Sequence, residues 1–188
     1  MEVEFKLRGQ GLYDALMLQH IRQTIFAIES IPEKYGDANK SKALAALISN
    51  IKDWAGSLYP DDPVKRDEWY NIMYEHTITF YDYAKERLAC QCKEETDSCK
   101  RKKAAETLFQ KLLDNKVKVV NFLCKLFGEQ YREKFESGWM DHLGCSDKYV
   151  NAFRDYLCAK KHCLNLGAGF GQLLDTITKE QQKTAPTY

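Results

Sequence analysis

Three of the four histidines in the chain share one pattern. His20, His76 and His142 each follow an aromatic residue by seven positions (Tyr13, Trp69, Phe135) and a large apolar residue by three (Met17, Met73, Trp139). On an α-helix, positions i, i+4 and i+7 share a face. Each triplet therefore predicts a stripe of aromatic, apolar residue and imidazole along one side of a helix. Three neutral imidazoles converging from three helices suit zinc, copper, nickel or iron, and three histidines with an open position form a known catalytic arrangement. Glu75 and Asp141 directly precede two of the histidines, about 100° around the helix. They suit outer partners of a histidine on a neighbouring helix better than co-ligands. The competing use of the same residues is structural, because a histidine on an apolar stripe commonly hydrogen-bonds within the core. Asn50 and Asn115 stand 26 and 27 residues before His76 and His142 and are the expected partners.

Other candidate clusters are weaker. Cys90, Cys92 and Cys99 form C-x-C-x6-C without a nearby fourth ligand and without the usual C-x2-C spacing of zinc clips. Cys158, His162 and Cys163 gather near one helix end, whereas Cys124, Cys145 and Cys158 read as small core residues. "GAGFGQ" at 167–172 lacks the preceding strand that a phosphate loop needs, so it reads as a link between helices. "KRKK" at 100–103 is diluted by Glu94, Glu95 and Asp97, which argues against a nucleic-acid patch.

The elements that must position these residues are helical. Apolar positions recur at three and four almost throughout, and only four prolines interrupt 188 residues. Helices are expected over residues 12–31, over "SKALAALISN" ending at Asn50, and over "IKDWAGSLY". The Tyr59–Pro63 turn then starts a long helix running to about Ala89, since proline fits a first helical turn. Residues 90–103 form a polar connector with a cap at Asp97 or Ser98. A helix follows to Gly128, broken near Asn115, and "VKVV" at 117–120 belongs to it despite its strand-like composition. A further helix, weakened at Gly144, precedes a C-terminal extension over 161–188.

"LISN" and "LLDN" each precede a short apolar helix, a turn and a histidine-bearing helix. Two pseudo-repeats are expected at about 43–90 and 108–160. The stretches "LMLQHIRQT", "LISNIKDWAGSLYP", "YEHTITFY", "LLDNKVKVV", "LFG" and "WMDHL" resemble a family of small bacterial helical-bundle proteins with repeated Asn…Glu-His units. The resemblance spans about residues 10–160 and implies an all-α bundle, with no assigned activity. The chain departs from that family at Pro60, where a glycine is usual, and in its cysteine-bearing connector and C-terminal extension.

The expectation is thus an all-α single domain over 1–188, a bundle of six to seven helices. With a net charge of +1, no global field favours nucleic acid. No apolar run reaches the roughly 20 residues of a membrane span. The charged start "MEVEFKLRGQ" and an odd cysteine count predict a reducing cytoplasmic setting, a host cytoplasm if the gene is viral. The leading functional expectation is a non-enzymatic bundle that binds a protein partner or small ligand. Tyr13, Met17, Trp69, Met73, Phe135, Trp139, Asn50 and Asn115 would line its site. The alternative is a transition-metal site at His20, His76 and His142.

Overall fold

A computed structural model describes residues 12–32, 36–89 and 95–184, and the side chains of 15–32, 42–89 and 101–160. The described chain is all-helical. Five α-helices follow one another: α1 (Leu12–Ser30), α2 (Gly36–Leu58), α3 (Pro63–Ala89), α4 (Glu95–Phe127) and α5 (Arg132–Thr184), with a one-turn 3₁₀ helix at Glu129–Tyr131 before α5. No helix among the described residues is long and apolar enough to cross a membrane.

The helix ends follow local chemistry. α1 closes on a bond from the Ile31 amide to the Ile28 carbonyl, and Pro32 follows. α3 opens with Asp62 as its cap, whose carboxylate accepts from the Lys65 amide at 3.0 Å, and Pro63 takes the first helical position. α4 ends at Gly128, which holds φ at 107° while its amide donates to the Cys124 carbonyl at 2.9 Å. A side chain at that φ is strained, so the break between α4 and α5 depends on glycine.

All five helices contribute to one core. It joins Leu16 and Ile28 of α1 to Ile51 and Trp54 of α2, Met73 and Phe80 of α3, Leu112 and Val119 of α4, and Leu143 and Val150 of α5. Each such side chain contributes about 1.5–3 kcal/mol by leaving water, which outweighs the modest intrinsic helix propensity of the sequence. Polar ties sit at the helix seams. Lys118 on α4 pairs with Glu75 on α3 at 2.6 Å, and Lys125 pairs with Glu68 at 3.2 Å. The Tyr83 hydroxyl on α3 donates to Asp147 on α5, and Arg87 donates to Asn151. The Tyr149 hydroxyl on α5 donates to Glu29 on α1 at 2.6 Å.

Several expected boundaries are corrected. α2 runs through Asn50 without interruption, α4 through Asn115, and α5 through both Gly144 and the "GAGFGQ" stretch. The described residues therefore hold five α-helices where six to seven were expected. The asparagines do not break their helices because both are buried and face neighbouring elements. α4 also starts at Glu95, ahead of the expected cap. Cys158 is disulfide-bonded and Cys145 is free but exposed, so neither is the free core residue expected, whereas Cys124 is free and buried. The side chains of Cys90, Cys92, Cys99, His162 and Cys163 lie outside the described residues, as does that of Tyr13.

Candidate metal centre

α1, α3 and α5 bring His20, His76 and His142 to one point. One nitrogen from each ring lies within 4.8 Å of the others. The ring centres are 6.1 Å apart for His20 and His76, 6.1 Å for His20 and His142, and 5.7 Å for His76 and His142. The common stripe explains this meeting. Each histidine lies one or two turns past large apolar residues that seek the core, so the packing of three helices carries three imidazoles to one level.

His20 and His76 are each only 2% exposed, and His142 is half-buried. Burial holds all three below the ordinary histidine range. His20 falls from 6.5 to about 4, chiefly by burial, with His142 adding to the effect and Asn50 opposing it. His76 is pushed well below 6.5 by burial and then by His142 and His20. Burial lowers His142 as well. The rings are accordingly neutral at pH 7, the form that donates a lone pair. The Nδ1 atoms of His20 and His76 are buried without a hydrogen-bond partner, so no protein donor competes for them.

Zinc–imidazole bonds of about 2.1 Å at tetrahedral angles place the nitrogens about 3.4 Å apart. The nitrogens lie within 4.8 Å of one another, so a bound ion would draw the rings closer together. The donor set, all neutral nitrogen, fits zinc, copper, nickel or iron(II) and does not fit magnesium or calcium.

Aromatic rings surround the trio. Trp139 lies edge-on to His76 at 5.1 Å and to His142 at 5.3 Å, Trp54 is tilted against His20 at 5.8 Å, and Phe80 stacks on His76 at 6.4 Å. A cavity of about 700 Å³ is lined by His142 together with Met17, Trp69, Phe135 and Trp139. These four expected residues thus share one chamber. Met73 is fully buried in the core and does not line it.

The asparagines take separate roles. The Asn50 side chain neighbours His20 and favours its charged form, but its own Nδ2 and Oδ1 close no hydrogen bond of ordinary geometry. Asn115 does not meet a histidine. Its Nδ2 donates to the Ile72 carbonyl at 3.0 Å and to Glu75 at 3.3 Å. Glu75 is thereby turned to the seam with α4, where Lys118 also holds it, and Asp141 is exposed. Neither carboxylate serves as an outer partner of a histidine.

Sequence reasoning missed Trp54, Tyr59, Leu123, Tyr131 and Lys134, all on the cavity wall. Trp54 had a signal, since it stands four residues after Asn50 on the same helical face. Tyr131 and Lys134 had none, because their place depends on how the Gly128 turn aims α5. The chain matches no family model, no curated protein and no solved structure.

Proposed function

We propose that the protein is a metal-binding helical bundle. His20, His76 and His142 hold one transition-metal ion, and the aromatic cavity admits a small ligand to it. The observation that carries this reading is the convergence of three buried neutral imidazoles from three helices, two of them with an unpartnered Nδ1. The three rings pack against one another, and the Asn50 amide lies beside His20.

Two pseudo-repeats, α2–turn–α3 and α4–turn–α5, belong to the same reading, with α1 supplying the third histidine. Tyr83 and Tyr149 support it: each stands seven residues after its histidine, and each donates its phenol to a carboxylate on a neighbouring element. The likeness of these units to small bacterial bundle proteins is part of this proposal. Among the described residues no carboxylate or thiol joins the trio, so the donor set is all imidazole.

The test is a cobalt(II) titration of chelator-stripped protein. The reading predicts saturation at about one equivalent, with visible absorption of tetrahedral intensity that is lost in His142→Ala. An unsaturable titration, or one identical in His142→Ala, refutes it.

A further inference from the structure

Three neutral imidazoles bring no negative charge to the metal they hold. A divalent ion among them keeps its full charge in surroundings where water screens it little. Among the described residues no carboxylate offsets that charge. Glu75 is bound to Lys118 and Asn115 at the α3–α4 seam, and no acidic group perturbs any of the three histidines. An anion entering by the cavity that His142 lines would offset part of that charge.

The cavity states what body such a ligand has. Its volume of about 700 Å³ suits a molecule of drug-like size. Its walls include the buried rings of Trp54, Trp69 and Trp139, the half-buried ring of Phe135, and Phe127 and Tyr131, these last two 43% and 42% exposed. No Asp or Glu is among the described lining residues. Among the described lining residues the one lysine or arginine is Lys134, exposed in the first turn of α5, with its ammonium 5.9 Å from the centre of the Tyr131 ring.

Resting on the metal reading above, we infer that the ligand of this site is a small organic monoanion, a carboxylate on a flat apolar body. Its acid group faces the metal and its rings fill the aromatic cavity. The acid points inward because the metal's charge sits among buried rings, whereas the exposed Lys134 ammonium is screened by water. Lys134 instead draws the anion to the mouth.

The test compares three probes by calorimetry on zinc-loaded and zinc-free protein: 2-naphthylacetate, acetate and the uncharged 2-naphthylacetamide. The acid should bind the zinc form roughly 100-fold more tightly than acetate, because the ring system leaves water. It should also exceed the amide about tenfold or more, and zinc removal should abolish that second margin. Gly138 lines the cavity, and a Cβ built there meets nothing within 4 Å. Gly138→Leu should therefore weaken naphthylacetate at least tenfold while zinc content stays unchanged.

Absence of bound zinc overturns this inference and the metal reading together. Zinc retained with equal affinity for acid and amide overturns the anion assignment alone. Zinc retained with acetate as tight as naphthylacetate overturns the cavity assignment alone, and neither comparison depends on a variant folding.

Discussion

In metal-free protein, stability should fall steeply once pH drops below about 6.5. The groups responsible face one another across the bundle: His20 on α1, His76 on α3 and His142 on α5, with Asn50 and Trp54 of α2 beside His20. A histidine whose folded value is depressed binds protons more readily when unfolded. Its stabilising contribution is therefore complete above the unfolded value and is lost as pH falls through the window between the two. For His20 that window runs from 6.5 down to about 4. Linkage over it gives a loss of about 2 kcal/mol at pH 5 and about 3 kcal/mol at pH 4 from this residue alone. His76 shifts in the same direction and adds to the loss. The assay is urea unfolding of chelator-treated protein at pH 8, 7, 6 and 5. With a slope of about 2 kcal/mol per molar urea, the midpoint should drop by about 1 M or more by pH 5. Ordinary carboxylates titrate mostly below this range, so they contribute little. His20→Asn should flatten the dependence. A midpoint constant from pH 8 to pH 5 would refute the claim that the rings are buried in neutral form.

Asn115→Ala should cost about 1–3 kcal/mol in chemical unfolding, because it removes the buried donor to the Ile72 carbonyl and Glu75. Gly128→Ala should cost about 1–3 kcal/mol, read as a lower melting temperature, because alanine is strained at a φ of 107°. Glu75→Gln should change stability by less than about 1 kcal/mol, since its pair with Lys118 is solvent-exposed. It should also leave metal content untouched; loss of metal in that variant would return Glu75 to the centre.

The legible parts of this molecule are those governed by local rules. Pro63 after Asp62 marked the start of α3 because the proline ring and the carboxylate cap both act within one turn. The aromatic–apolar–histidine spacing marked the trio because helical periodicity fixes which side chains share a face. Asn50 and Asn115 misled, since each is buried inside the bundle rather than set at a helix end. Asn115 finds a partner 43 residues away in sequence, at Ile72. Gly144 misled for a related reason: α5 packs along its neighbours, and tertiary burial outweighs the roughly 1 kcal/mol that glycine costs a helix. The outward half of the cavity was illegible. Tyr131 and Lys134 reach it only through the angle set at Gly128, and no spacing rule encodes that angle.

The most direct test is elemental analysis of tag-free protein purified without chelator, beside His76→Ala and the less buried His142→Ala. About one equivalent of a transition metal is expected in the wild type, with loss of it in both variants and His142→Ala still helical. Wild-type protein without metal, together with variants that differ from it only in stability, would contradict the account. The three histidines would then be packing elements of the core.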